Sequence, residues 1–553
     1  MALGGFSRGM TCVPIYDTLG DDVLQYEVNH ASAKIIFVSK AHMASVAAAL
    51  GQCACLKTVV QLEPLGTREE ANAAAFSGAG VALMDLDAVV KAGAEKPVKP
   101  EPGSGDTLAY IMYTSGTTGN PKGVRITQSA ITIAASHAAG IKIVSADRFL
   151  SYLPLAHIFE TVVEHALFAS GGSVAYFRGD MKGILDDILA CKPTIFAGVP
   201  RVYQRFYEKA MASLAAKGFI GSLIGRLLAD ETAAARLGKS TWAHGLLAKA
   251  LGKKIHGGKV RVMLSGAAPL PTHVHEFLLA CMGCPVVQGY GMTENLTCST
   301  MGIQADYRAG HVGPPQPTCE LKLQDVPEMN YTSALVDSEG APKLPTGEVM
   351  VKGHILFESY HKNEAATKET IEPDGWMHTG DIGRWNADGT LSIIDRKKNI
   401  FKLAQGEYIA AEKIEMTISK SKYISQPWVY GNSFLPMLVA VVTPDYDELR
   451  KAAKEGGWGS EDKVALAASP QAEALILAEI KKEAAAAKLK SFEVPKAVHL
   501  EGRVNDLAQG FSVENDCLTP TFKLKRPSLL KKYQVEIDEM YLKLGEDAKK
   551  ARA

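Results

Sequence analysis

Long hydrophobic runs are missing from this chain. No stretch of its 553 residues stays apolar over the length a bilayer crossing needs, so a helical membrane span is not its organising feature. The first residues also lack the basic-then-apolar pattern of a secretory leader. The expectation is exposure to the cytosol, with peripheral membrane contact left open. The final Ala551-Arg552-Ala553 does not match the usual peroxisomal tripeptide. Charge of one sign is equally absent, with 60 Lys and Arg against 60 Asp and Glu, which removes the electrostatic footprint of nucleic-acid binding. Cysteines number nine, an odd count at irregular spacing, which argues against a disulfide framework. Cys281 and Cys284 have CxxC spacing, but no second pair follows, and they read as buried small hydrophobes. Nothing in the pattern sets an oligomeric state.

What is present is an ordinary globular balance, 47% hydrophobic and 22% charged, in a chain too long for one core. Short β-branched runs alternate with helical stretches, the rhythm of βα units. Strands are expected at Lys34–Ser39, Thr58–Leu62, Leu108–Tyr113, Arg148–Tyr152, Ser173–Phe177, Thr194–Ala197 and Val260–Ser265, with helices at Gln128–Ala139, His157–Ala169 and Thr272–Cys281. The Ala-, Leu- and Lys-rich stretch Ala210–Lys254 reads as a helical insertion, its apolar face more readily packed than laid on a membrane. Past Gly310, strands at Glu320–Gln324, Gly347–Lys352 and Thr390–Ile394 predict a β-rich subdomain. The fold expected is α/β: a large N-terminal domain of βα sheets with that subdomain (1–395), a hinge (396–398) and a small mobile α+β C-terminal domain (399–553).

Three constellations carry chemistry. Tyr113–Gly123 places Thr114, Ser115, Gly116, Thr117, Thr118, Gly119 and Lys122 behind a strand. Its glycines let backbone N–H groups turn inward as an anion nest, and its hydroxyls and lysine add donors and charge. The order of a Walker loop is absent. A plain surface turn needs one or two such residues, not this density. In Gln288–Glu294, Gly289 and Gly291 flank Tyr290, so a planar base could stack there, and Thr293-Glu294 offers a hard oxygen for Mg²⁺. In Gly375–Asp381, Asp381 suits ribose hydroxyls, although alone it reads equally as a turn or cap residue. The basic run Asp395–Lys398 follows.

Together these motifs resemble the adenylate-forming acyl-CoA synthetases, and within them the eukaryotic-type long-chain fatty acyl-CoA ligases. Tyr152–Glu160 (YLPLAHIFE), Leu264–Leu270 (LSGAAPL), Asp374–Leu403 and Leu518–Pro527 carry the likeness, which runs from about Cys12 to Tyr541. It implies ATP-dependent ligation of a long-chain fatty acid to coenzyme A through an acyl-adenylate, releasing AMP and pyrophosphate. By the same resemblance, Thr114, Ser115, Thr117, Thr118 and Lys122 hold phosphates, with Thr114 and Glu294 at Mg²⁺. Gly266, Ala267, Gln288, Gly289 and Tyr290 surround adenine, and Asp381 and Arg396 hold ribose. His157 closes the acyl site near the reacting carboxylate, Lys398 marks the hinge, Gly406 meets the pantetheine tunnel and Lys523 contacts the carboxylate and α-phosphate. Walls of an acyl tunnel are expected near Ala197–Val202 and Ser265–Leu270. Such ligases carry a segment ahead of the Val13–Thr18 region, near which this chain starts. The expectation is an exposed sheet edge, with stability and localisation affected. The alternative reading is a poorly active or scaffolding product of the same family.

Overall fold

The computed structural model describes residues 1–16, 21–66, 76–114, 121–137, 141–236, 243–336, 340–405, 407–460, 462–520 and 522–545. β1 (Ile35–Val38), β2 (Thr58–Gln61) and β3 (Ala82–Asp85) form a parallel sheet with β1 at one edge, where Ile35 and Phe37 are exposed. β4 (Leu108–Thr114) and β5 (Lys122–Thr127) pair as antiparallel strands. The central sheet comprises β6 (Arg148–Ser151), β7 (Ser173–Tyr176), β8 (Ile195–Gly198), β9 (Val262–Ser265), β10 (Val286–Tyr290) and β11 (Thr300–Met301), ordered β11-β10-β9-β8-β6-β7. All its pairs are parallel except β10 with β11. β8 and β9 are buried along their whole length, as parallel strands covered on both faces must be, so their sequences run apolar without alternating.

Between these strands lie the expected helices. Ile158–Ala169 begins at His157, whose ring accepts the Phe159 N–H, and stops before Gly171, which turns at φ 71°. Thr272–Cys281 has the bounds its sequence gives. The insertion is helical, mainly Pro200–Ala215 and Gly218–Arg236. Leu214, Leu228, Leu247, Leu251 and Ile255 pack with Phe277 and Leu278 in one core. Cys281 and Cys284 are buried in that core, and burial pushes the Cys284 thiol up to about 12.

The β-rich part follows: β12 (Cys319–Gln324), β13 (Thr346–Gly353), β14 (Ser359–Tyr360), β15 (Met377–Trp385) and β16 (Leu391–Arg396). β12-β13-β15-β16 is an antiparallel sheet, whereas β14 returns to pair with β5. A single turn, Lys397–Asn399, leads into the hairpin β17 (Ile400–Lys402) and β18 (Tyr408–Ala410). Then β19 (Ile424–Tyr430), β20 (Val439–Pro444) and β21 (Ala497–Leu500) form a sheet packed with helices, among them Ala411–Ile418 and Pro470–Ala486. Asp381 sits mid-strand in β15, not at a turn or cap, and Lys122 and Gly123 open β5 rather than finishing a loop.

One polar knot fastens the N-terminal ends of the central strands. Asp147, ahead of β6, accepts from Arg261 Nε (2.8 Å) and Nη2 (2.7 Å), from the Thr194 hydroxyl (2.7 Å) and from the Val144 N–H (2.9 Å). Burial alone would raise this carboxyl, yet these bonds hold its pKa at about 2, below the ordinary 3.8. The stability it contributes is therefore present above the ordinary value and lost as pH falls through 2. Arg261→Ala leaves the buried carboxylate without its cation and should cost about 3 kcal/mol in urea unfolding at pH 7. The loss should shrink as pH is lowered towards 2; a constant difference down to that pH would rule the knot out.

Candidate functional site

At the carboxyl ends of the parallel strands, a cleft of about 820 Å³ opens between the central sheet, the β-rich sheet and the C-terminal domain. Thr114 and Lys122 reach it from the facing ends of β4 and β5, which pair across the loop they flank. His157 comes from the N-cap after β6, Ala267 from the turn after β9, and Gly291, Thr293 and Glu294 from the turn after β10. Asp381 and Arg396 face it as cross-strand partners on β15 and β16, and Lys523 enters from the C-terminal domain.

The carboxylates here are held, not loose. Asp381, buried, accepts the Tyr290 hydroxyl (2.9 Å) and lies 3.5 Å from Arg396 Nε. Burial raises its pKa, against the pull of Arg396 and Tyr290, and the same pair raises the Arg396 guanidinium. Glu294, also buried, accepts the Tyr360 hydroxyl (2.7 Å), and the Tyr360 ring carries Lys122 Nζ 4.9 Å from its centroid.

The cations divide into two sets. Lys397, Lys525 and Arg526 are neutralised by Glu348, Asp516 and Glu415. Among the described residues, neither Lys122 nor Lys523 forms an ion pair. Burial and the neighbouring Arg396 push the Lys523 ammonium down to about 8, so it is still charged at neutral pH. Burial and Lys523 push His157 to about 3, leaving a neutral ring. Because its Nδ1 accepts the Phe159 N–H (3.2 Å), the ring proton belongs on Nε2, which becomes a donor.

Next to the cleft lies an apolar cavity of about 60 Å³, walled by residues including Ile143, Phe159, Val163, Gly266, Gly289 and Met301. Thr297 borders both spaces. Leu296 and Thr297 are consecutive left-handed residues at φ 49° and 79°, a strained conformation for a β-branched side chain. Their turn closes onto Gly291, where an added Cβ would lie 2.2 Å from the Thr297 carbonyl carbon.

The structure thus brings Thr114, Lys122, His157, Ala267, Gly291, Thr293, Glu294, Asp381, Arg396 and Lys523 to one cleft. Ser115, Gly116, Thr117, Thr118, Gly119 and Gly406 lie outside the described residues. Three expectations are corrected. Tyr290 is 8% exposed and packs in the core, so it acts on the cleft through its hydroxyl and not as an open stacking face. The Gln288 amide turns inward, accepting the Leu270 N–H (3.2 Å) and donating to the His311 carbonyl (3.3 Å). Gly266 and Gly289 wall the apolar cavity, whereas Ala197, Val199 and Val202 are buried in the core. Sequence reasoning missed Tyr360, which reaches Glu294 only because β14 pairs with β5 from far along the chain.

Oxygen donors suited to Mg²⁺ are present in Thr114 and Glu294. Among the described residues, no three His, Cys, Asp or Glu side chains cluster as a metal cage.

Residues 1–361 match the family described as AMP-binding enzyme. The chain is 41% identical over 545 residues to long chain acyl-CoA synthetase 6, peroxisomal, of Arabidopsis thaliana, covering 98% of this chain and 75% of that protein. It is 37% identical over 553 residues to long-chain-fatty-acid–CoA ligase 1 of Cavia porcellus, covering 97% and 75%. Among solved structures, the adenylation domain of a carboxylate reductase from Mycobacterium chelonae superposes with a TM-score of 0.80 at 24% identity, covering 98% of this chain and 78% of that one. That likeness bears on the fold alone.

The two glycines of β10 and its turn make opposite predictions. A Cβ at Gly289 would meet its nearest atom at an ordinary 3.6 Å. Gly289→Ala should melt near the parent temperature, whereas Gly291→Ala should lose about 2 kcal/mol or more in thermal unfolding. Equal melting temperatures would contradict the packing described.

Proposed function

Because the chain belongs to the AMP-binding enzymes and, within them, to the long-chain acyl-CoA synthetases, we propose that it joins a long-chain fatty acid to coenzyme A using ATP, through an acyl-adenylate. The observation that carries the reading is the pair of cations without ion partners among the described residues, Lys122 and Lys523, facing one cleft beside an apolar cavity. A carboxylate is a poor acyl donor because its leaving group would be oxide. Its attack on the α-phosphorus of ATP forms the acyl–phosphate bond and expels pyrophosphate. Coenzyme A sulfur then attacks the acyl carbon, AMP leaves, and the thiol proton is released.

The first step brings anions together. Each lysine ammonium within about 4 Å of a phosphate or carboxylate oxygen offsets on the order of 4 kcal/mol of that repulsion at an effective dielectric of about 20. The neutral His157, donating from Nε2, would hold the incoming carboxylate where Phe159 begins the apolar wall. Thr114 and Glu294 would hold Mg²⁺, which when bound neutralises phosphate charge. Asp381 and Arg396 would receive the ribose. A long acyl chain exceeds about 60 Å³, so its entry requires side chains of the cavity wall to move aside.

The second step needs the same carbon that Lys523 guards. The C-terminal domain, 399–553, would therefore swing about 396–398, which here is the end of β16 and a single turn. A second role, as a scaffolding product, is disfavoured by the assembled site. Since a long-chain fatty acid partitions into lipid, we place the enzyme at a cytosol-facing membrane surface.

Palmitate-dependent release of AMP and pyrophosphate tests the reaction itself. Lys523→Ala should reduce acyl-adenylate formation about a hundredfold or more yet spare thioester formation from supplied acyl-adenylate; equal loss of both would sink the swing. Lys523 is charged below its pKa of about 8, so kcat/KM for adenylation should decline as pH rises through that value. Lys523→Arg, which stays protonated, should remove that decline. Gly289→Leu fills the cavity and should lower kcat/KM for palmitate about tenfold or more relative to octanoate; an unchanged ratio would place the acyl chain elsewhere.

A further inference from the structure

The helical insertion buries one face and leaves another bare. Gly218–Arg236 sends Gly221, Ile224 and Leu228 into or against the core. A surface helix would be polar on the opposite side. Here Phe219, Ile220 and Leu223 are 85%, 63% and 51% exposed, and Met211 on the preceding helix Pro200–Ala215 is 39% exposed. Single exposed apolar residues are ordinary, but a group at one helical corner marks a contact surface. Phe219, Leu223 and Arg226 fall at i, i+4 and i+7, one stripe of the helix.

The corner itself carries cations, with Glu208 and Asp230 at its two ends. From Lys209 to Ala229 the chain carries Lys209, Lys217 and Arg226 and no carboxylate, although acids and bases balance over the whole protein. Lys217 and Arg226 are exposed beside the apolar residues. A second copy docked by a two-fold axis would set these cations against their own kind. A lipid surface with anionic headgroups satisfies both halves, taking the apolar side chains below the headgroups and pairing the cations with them. Among the described residues no helix is long and apolar enough to cross a membrane, so this contact lies on the surface. We propose that the corner formed by Met211, Lys217, Phe219, Ile220, Leu223 and Arg226 docks on an anionic membrane.

The proposal stands apart from the acyl-CoA reading, because docking is measured without substrate. The full chain is sedimented with vesicles of phosphatidylcholine alone, or of phosphatidylcholine with phosphatidylserine, at low and raised salt. Binding to the mixed vesicles is expected, weakening with salt. The triple variant Phe219→Ser, Ile220→Ser, Leu223→Ser should bind about tenfold or more weakly. The pair Lys217→Glu, Arg226→Glu should lose the preference for phosphatidylserine. Both variants alter exposed residues outside the cleft and should keep the parent rate of palmitate-dependent AMP release in detergent. The idea is overturned if the parent chain ignores both vesicle types, if both variants bind as the parent does, or if the corner instead drives a concentration-dependent dimer.

Discussion

The buried Asp381 carboxylate is the constraint on which the site depends. Removing such a group from water is tolerable only when partners replace the lost hydration. Its partners come from separate parts of the chain. Tyr290 closes the central parallel sheet, and Arg396 ends the β-rich sheet where the C-terminal domain begins. The Lys523 charge acts on it from that domain. A partner that withdraws leaves more of that charge for the others to compensate. Glu294, Tyr360 and Lys122 repeat the arrangement between the turn after β10 and the β4–β5 sheet. Phe522, wedged between the core of the central sheet and that of the C-terminal domain, keeps the neighbouring Lys523 in register with both.

Much of this was legible where chemistry and periodicity sit close together in sequence. β8 and β9 announce themselves by short apolar runs that only a doubly covered strand tolerates, and the helix Thr272–Cys281 by its preceding proline and apolar face. Thr114, Lys122, Glu294 and Asp381 lay in local motifs, Lys523 was reached only through the family resemblance, and all five line the cleft. Less was readable where the partner is remote. β15 contains Gly380, Asp381 and Gly383, poor strand formers, and becomes a strand through β13 and β16 on either side. Gln288 has the look of a base reader, yet the Leu270 N–H and the His311 carbonyl occupy it, and neither is visible from its own motif. Tyr360 lay in an unremarkable stretch and acquires its place through a strand pairing that no local pattern encodes.

The site is also a lesson in which charges matter. A count of lysines and arginines around the cleft suggests a general anion trap. Pairing removes Lys397, Lys525 and Arg526 from that count and ties them to the scaffold. Lys122 and Lys523, without ion partners among the described residues, reach the cleft from parts of the chain far apart in sequence.

Thr297 carries a consequence for how this protein can change. It holds a torsion that a glycine would adopt freely, on a turn clamped against Gly291, at the seam between the polar cleft and the apolar cavity. A glycine at that position would relieve the torsion and also remove the side chain that borders both spaces. Relaxing the backbone there strengthens the fold but strips the seam of the methyl and hydroxyl that shape it.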